Sequence, residues 1–209
     1  MTLSLRSISL PVVLATAVYG ASGLPSTFEM SGTATFEAST TVPGVEVKGV
    51  SNSVAGHVTI ARDDRGLAME HVDVTIPVKS LATGMKVRDA HMRKYIFTDA
   101  NAQTPDIRFT ADSIFCTASP STQEFPCEVG GSLTIRGAAH PFSMKLYVRQ
   151  QSGAHVGFRA AGDAIVKLSD FGIARPSQFG VSTSDQVKLH LDFSAKQGVP
   201  PTTAAGGER

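Results

Sequence analysis

Apolar and polar residues alternate with a period of two through most of this sequence. The clearest case is VKLHLDF, in which Val187, Leu189, Leu191 and Phe193 alternate with polar side chains. Successive side chains of a β-strand point to opposite faces, so the pattern predicts a strand with one buried face and one solvated face. This periodicity restricts the chain to a β fold more strongly than any other feature.

Nine segments show this alternation, and turn residues separate them. In EHVDVTIPV, Val72, Val74 and Ile76 share one face, and Pro77 indicates an edge or a bulge. The connections RDDRG and RGAAHP are too short for parallel crossovers, so they favour antiparallel neighbours. Eight or nine such strands predict a sandwich or a barrel. The segments are TATFEAS, VAGHVTI, EHVDVTIPV, DIRFTA, GSLTIRG, PFSMKLYV, HVGFRAA, DAIVKLS and VKLHLDF.

Residues 80–105 break the alternation. Their pattern predicts one short helix from Val87 to Phe97, with Met92, Tyr95 and Ile96 on one side.

The N-terminus has the layout of a secretory signal peptide. Arg6 precedes an apolar stretch from Leu10 to Val18, and small residues follow, which predicts cleavage between Ala17 and Gly23. The stretch is shorter than the roughly 20 residues that cross a bilayer. We therefore expect residues 1–23 to be a leader, with a loosely ordered N-terminus as the alternative, and the protein to be periplasmic or secreted. One domain over residues 24–196 and a disordered tail over 197–209 complete the predicted organisation.

Cys116 and Cys127 are the two cysteines of the chain. In an exported protein such a pair is most simply a disulfide, here across a polar loop with two prolines. A metal pair is the alternative, but two further ligands at a suitable spacing are lacking.

Composition excludes several classes of function. The formal net charge is +1, so bulk electrostatics favours neither nucleic acid nor an anionic membrane as a partner. The six histidines are scattered without a ligand-like spacing, and we expect no metal and no other cofactor. The sequence contains no GxSxG motif and no nucleophile–base arrangement, so no catalytic residue is predicted.

The stretch VKLSDFGIAR resembles the magnesium-binding segment of protein kinases. A kinase also needs a GxGxxG loop, an HRDLxxxN loop and a large helical lobe after the motif. None is present, and only strand-like residues and the tail follow Gly172. We therefore interpret the stretch as a strand that ends in a turn, with the Asp170 carboxylate capping the turn and Gly172 adopting positive φ.

Four motifs in order resemble the YceI-like family of polyisoprenoid-binding proteins. The resemblance as a whole is spread over residues 30–195, and the order of the motifs makes it more specific than any one of them. They are Thr83, Gly84, Arg88, Asp89 and His91; Pro105, Ile107 and Phe109; Leu133 to Gly137 with Pro141; and Asp170 to Ile173.

The resemblance implies an eight-stranded, antiparallel, lipocalin-like barrel that is exported and binds a long isoprenoid chain without catalysis. Eight strands agree with the alternation and enclose an interior that can hold one small ligand. The candidate ligand-binding residues come from the alternating faces. They are Val72, Val74, Ile76, Ile107, Phe109, Leu133, Ile135, Phe142, Met144, Leu146, Val156, Phe158, Leu189, Leu191 and Phe193.

Three questions stay open from the sequence alone. Arg88, His91 and Arg93 are candidates to contact a polar head group, whereas the alternative is a solvated helix face with Arg88 and Asp89 holding the loop. The first functional hypothesis is a carrier of a polyisoprenoid or isoprenoid quinone, for which a membrane is only the lipid source. The second is a structural or stress-related barrel with a dry core that binds a protein partner. A homodimer is also left open.

Overall fold

A computed structural model describes residues 25–63, 65–118, 124–151, 157–178 and 180–197. Eight long antiparallel strands follow one another around a closed barrel, and the first strand pairs with the last. A two-residue strand, β8, forms a hairpin with β9. The strands are β1 (Ser26–Thr40), β2 (Glu46–Asp63), β3 (Gly66–Ile76), β4 (Ile107–Thr117), β5 (Glu124–Ile135), β6 (Ala138–Gln151), β7 (Gly157–Lys167), β8 (Ser177–Gln178) and β9 (Val181–Gln197).

The predicted eight-stranded antiparallel barrel is confirmed. Two of the nine predicted segments, HVGFRAA and DAIVKLS, belong to the single strand β7. Their separation in the sequence reading was wrong because the small residues Ala160, Ala161 and Gly162 blur the alternation between them. His155 and Val156 lie outside the described residues.

Three neighbouring strands contain a β-bulge where two consecutive residues face solvent. The bulges lie at Asn52–Ser53 of β2, Glu70–His71 of β3 and Asp112–Ser113 of β4, and each coincides with a shift in strand register. Each bulge exchanges the inward and outward positions of its strand, so that β3 buries Met69 before the bulge and Val72 after it. The edge or bulge expected at Pro77 was wrong, since β3 is paired on both sides and ends at Ile76, one residue earlier.

The two ends of the barrel differ in their connections. We call the end with the β2–β3, β4–β5 and β6–β7 connections the lower end. The upper end has the β1–β2 turn, the segment 77–106, the β5–β6 turn and the connection 168–180. No helix among the described residues is long and apolar enough to cross a membrane.

The lower end is tightly packed and crosslinked. Leu67 has no exposed surface, and the rings of Phe28 and Phe158 meet edge to face with centroids 5.2 Å apart. Cys116 and Cys127 are paired residues of β4 and β5 and form a disulfide, which confirms the predicted bridge.

The segment 77–106 folds over the upper end. Helix α1 (Lys86–Met92) is followed by a π-helical turn over Arg93–Phe97, so the helix lies where the sequence predicts it. Met92, Tyr95 and Ile96 all line the cavity, so their predicted common side is confirmed, although Met92 is buried and Tyr95 is exposed. The wider π-turn after Met92 displaces the later residues from ideal α-helical spacing.

The sequence VKLSDFGIAR ends strand β7, as predicted. A 3₁₀ turn over Leu168–Phe171 follows the strand, and Gly172 adopts φ +64° in the left-handed region. This turn buries Phe171 and Ile173 in the upper part of the core.

Asp170 does not supply the carboxylate of this turn, contrary to the sequence expectation. It is exposed, whereas Asp185 accepts hydrogen bonds from the Ser169 backbone N–H at 2.9 Å and from its hydroxyl at 2.7 Å. The bond from the Ser169 hydroxyl is the main reason that the pKa of Asp185 is lowered. Asp185 belongs to β9 and lies 16 residues from Ser169 in the sequence, so the local sequence could not indicate it as the acceptor.

Candidate functional site

A cavity of about 820 Å³ lies inside the barrel, open at the upper end and reaching down to Phe158 near the lower end. All eight long strands contribute aliphatic or aromatic side chains to its wall. Its size lies within the range of roughly 300–1,000 Å³ that is typical of small-molecule pockets. The barrel is therefore hollow, a property that the alternating pattern alone could not distinguish from a packed core.

The wall contains every predicted ligand-binding residue except Val156, which lies outside the described residues. The structure therefore brings together residues from β3, β4, β5, β6, β7 and β9. Their contact with a ligand stays a prediction. The residues that line the cavity are Val72, Val74, Ile76, Ile107, Phe109, Leu133, Ile135, Phe142, Met144, Leu146, Phe158, Leu189, Leu191 and Phe193.

These residues are not buried equally. Eight of them are fully buried, whereas the other six keep partial exposure although they point inward. The six lie in the middle and upper parts of the barrel and border the open cavity, whereas Leu133 and Ile135, also near the upper end, pack against Phe171 and Ile173 in a buried cluster. The six are Ile76, Ile107, Phe109, Phe142, Leu189 and Leu191.

Sequence reasoning named no cavity residue from β1 or β2. Both strands contribute, with Met30, Ala34 and Phe36 from β1 and Val58 and Ile60 from β2. The alternation in TATFEAS and VAGHVTI was a sufficient signal for Ala34, Phe36, Val58 and Ile60.

The segment that carries α1 is fixed to the rim of the barrel. The Ser51 and Ser80 hydroxyls are hydrogen-bonded at 2.7 Å, and Ser51 is completely buried. Val50 and Ala82 exchange two backbone hydrogen bonds of 2.9 Å. These contacts hold the helix beside the mouth of the cavity.

Thr83 organises the start of the helix. Asp89 accepts hydrogen bonds from the Thr83 backbone N–H at 2.8 Å and from its hydroxyl at 2.6 Å. Arg88 donates through Nε to the same hydroxyl and through Nη2 to the Thr83 carbonyl oxygen, both at 2.8 Å. We call these three residues the Thr83 latch.

The electrostatics of the latch favour a charged carboxylate. The hydrogen bond from the Thr83 hydroxyl is the largest cause that lowers the pKa of Asp89, and the backbone bond and the two nearby arginines act in the same direction. Burial opposes these effects but does not outweigh them. In the latch, Arg88 and Asp89 hold the loop before the helix. This is the role that the sequence predicted as the alternative to contact with a lipid head group.

The candidate head-group residues separate in the structure. Arg88 and His91 line the cavity near its mouth, together with Thr83 and Tyr95. Arg93 does not reach the cavity, and its guanidinium instead lies 3.4 and 3.3 Å from the carbonyl oxygens of Lys79 and Leu81. Five residues along a helix turn the side chain by about 140°, so Arg88 and Arg93 face different directions.

The sequence matches the family model of the YceI-like domain over residues 26–195. Among curated proteins, Protein YceI of Salmonella arizonae and Protein YceI of Salmonella newport are each 28% identical over 120 residues. This alignment covers 55% of the chain and 58% of each relative, which is less than two thirds of their length.

Solved structures from three other bacteria have a similar fold. A polyisoprenoid-binding domain from Saccharophagus degradans has a TM-score of 0.59 at 13% identity and covers 83% of this chain and 99% of its own. The Campylobacter jejuni YceI protein has a TM-score of 0.58 at 21% identity and covers 76% and 89%. BcnA of Burkholderia cenocepacia has a TM-score of 0.52 at 17% identity and covers 77% and 95%. At these identities the similarity establishes the barrel and no ligand.

Proposed function

The chain belongs to the YceI-like family, and from that premise we propose that its barrel binds the hydrocarbon chain of a long isoprenoid lipid. The ligand class is a polyisoprenoid or an isoprenoid quinone, which the protein carries without catalysis. One observation carries the proposal, namely the cavity of about 820 Å³ with its apolar wall. The polyisoprenoid-binding domain of Saccharophagus degradans, which has the same fold, supports the choice of ligand.

Burial of apolar surface supplies the driving force. Each methylene group transferred from water contributes about 0.8 kcal/mol. The six half-exposed residues of the wall lose their remaining contact with water when a chain fills the cavity. The competing hypothesis of a dry, packed core gains no support from a barrel with this internal volume.

Quinone titration tests the proposal. The chain contains no tryptophan, so a single Phe142→Trp substitution places a unique fluorophore at the cavity wall. We expect a long-chain isoprenoid quinone to quench it saturably, because the quinone accepts energy or an electron at short distance. Leu191→Trp, which adds volume inside the cavity, should weaken binding of a non-fluorescent isoprenoid competitor by roughly tenfold.

Ile165→Trp is the matched control, since Ile165 lies on β7 and is exposed on the outer wall. It should bind the same lipid like the unmodified protein. Equal affinities of the Leu191→Trp and Ile165→Trp proteins, both with normal thermal melting, would contradict binding inside the barrel.

The polar mouth supports a finer proposal about the head group. Arg88 and His91 line the cavity close to its opening, where a polar group on the lipid would lie. An Arg88→Ala protein should lose affinity for a phosphorylated isoprenoid and keep its affinity for the neutral alcohol of the same length. An equal loss for both lipids would assign Arg88 to the latch alone.

Export also belongs to the proposal. The predicted leader over residues 1–23 and the disulfide between Cys116 and Cys127 both suit an oxidising compartment. Mass spectrometry of the protein from its source should give a mature chain that begins between residues 18 and 24. An intact N-terminus in a cytoplasmic fraction would contradict export.

A further inference from the structure

Exposed apolar side chains gather at the mouth of the cavity. Among the described residues, eight large apolar side chains are exposed, and five of them lie in the β1–β2 turn or in the segment with α1. Their exposed fractions are between 40% and 67%. We call these five residues the apolar rim: Val42, Val45, Met85, Val87 and Tyr95.

The rim and the cavity are continuous. Val45 and Tyr95 belong to both, since they are exposed to solvent and also line the cavity. Val42, Met85 and Val87 belong to the same two upper-end segments as Val45 and Tyr95 and are exposed, but they do not line the cavity. Clustered apolar side chains of this kind mark interaction sites, whereas single exposed ones are ordinary.

The charge around the rim is positive. Residues 77–97 contain five cationic side chains and one carboxylate, Asp89, which is buried in the Thr83 latch. Two of the cations, Lys86 and Lys94, are exposed directly beside rim residues. The residues of the β1–β2 turn, 40–45, carry no charge, and the carboxylate of Glu46, which follows Val45, is paired with Lys48 at 2.9 Å.

Most carboxylates in the neighbouring upper loops are engaged locally. Asp99 accepts hydrogen bonds from its own loop, Asp106 from the Val78 N–H, and Asp185 from Ser169. Asp170 is the exposed carboxylate on the turn after β7.

We propose that the apolar rim docks on the surface of a membrane that contains anionic lipids, with the cavity mouth facing the bilayer. Apolar and aromatic side chains interleaved with lysines are the composition that inserts shallowly into a bilayer interface. Exposed lysines add attraction to anionic head groups. The positive charge beside the rim thus favours an anionic membrane as a partner, although the net charge of the whole chain, +1, does not indicate one.

A second copy of the chain fits the same surface less well. A symmetric dimer brings the same patch of both subunits together. Lys86 and Lys94 would then face their own copies without an exposed carboxylate in the segment to pair with them.

Docking would place the mouth where a lipid chain leaves the bilayer without crossing water. This loading role rests on the proposed function, whereas the docking surface itself stands on the rim and its charges. The two are therefore tested with separate readouts.

Vesicle flotation tests the docking. The purified protein should float with vesicles of phosphatidylglycerol and phosphatidylcholine, and high salt should weaken this binding. A Val42→Asp/Val87→Asp protein should bind these vesicles at least roughly tenfold more weakly. Ile165→Asp is the control for position, because it places a single charge of the same sign at an exposed aliphatic residue on the side of the barrel, away from the rim. It should float like the unmodified protein.

Several results would overturn the proposal. One is failure of the unmodified protein to float, and another is equal flotation of the Val42→Asp/Val87→Asp and Ile165→Asp proteins. A third such result is a dimer, seen in analytical ultracentrifugation, that the Val42→Asp/Val87→Asp substitutions dissociate. Thermal melting shows whether the Val42→Asp/Val87→Asp protein folds. If it does not, a Lys86→Gln/Lys94→Gln protein replaces it, and this protein should lose binding to anionic vesicles selectively. Normal flotation of a protein that takes up no isoprenoid would sustain docking and contradict the carrier function.

Discussion

The two ends of the barrel are built from the same eight strands but have different interiors. At the lower end, Leu67 and Phe28 belong to a closed core beside the Cys116–Cys127 disulfide, and Phe158, which packs against Phe28, bounds the cavity from below. At the upper end, inward-pointing residues such as Leu191 border open space, and a hydrogen-bonded segment rather than packed core covers the rim. The difference shows that the packed lower end stabilises the fold, whereas the upper end gives access to the cavity.

Matched leucine truncations should show this difference most strongly. Leu67→Ala removes a completely buried side chain and should lower the free energy of unfolding by about 4 kcal/mol. Leu191→Ala enlarges an existing cavity and should cost roughly 1 kcal/mol, because its side chain already lacks contacts on one side. Urea denaturation measures both. Equal losses would mean that the two ends do not differ in packing.

Removal of the disulfide should weaken the lower end without opening the upper one. A Cys116→Ser/Cys127→Ser protein should lose about 3 kcal/mol of unfolding free energy, since the bridge closes a short loop in the unfolded chain. Hydrogen exchange should accelerate first in the strand ends around Thr117 and Glu124. Faster exchange that begins in α1 would indicate that the bridge supports the whole barrel rather than its lower end.

Acid should weaken the upper end through the Thr83 latch. The pKa of Asp89 is lower in the folded protein than its ordinary value of about 3.9. A carboxyl group with a lowered folded pKa stabilises the fold above its unfolded pKa, and this contribution disappears as the pH falls through the folded pKa. The latch should therefore hold at neutral pH, and its stabilising contribution should decline progressively as the pH falls below about 4 toward the lowered pKa of Asp89.

Asp89→Asn isolates this effect. The substitution should cost about 1 kcal/mol of local stability at neutral pH, because a charged hydrogen-bond acceptor is lost. It should also remove the acid-dependent part of hydrogen exchange in α1. An unchanged acid profile in Asp89→Asn would assign the pH dependence to the other carboxyls with lowered pKa values, among them Asp185 and Asp192.

The sequence predicted those features that repeat along the chain. Alternation identified the strands and most of the cavity wall, because inward and outward positions in a strand differ systematically in polarity. The turn at Gly172 was predictable because positive φ favours glycine. The bulges were missed, although pairs such as Glu70–His71 carry a signal in two consecutive polar residues.

Features that depend on distant contacts were not predictable. The Asp185 side chain reaches Ser169 from another strand, and no local pattern distinguishes it from Asp170. Arg88 and Arg93 were equivalent candidates until the helix and its π-turn directed one toward the cavity and the other away. The volume of the cavity depends on how eight strands close around it, which the residue pattern does not encode in any one segment.

Native mass spectrometry of the protein purified from its source tests the central claim most directly. The account predicts a non-covalent adduct with the mass of an isoprenoid lipid, which organic extraction releases and which the Ile165→Trp protein retains. The Leu191→Trp protein should carry much less of it. An unmodified barrel that is purified empty, and that stays empty after incubation with isoprenoid lipids, would contradict the claim.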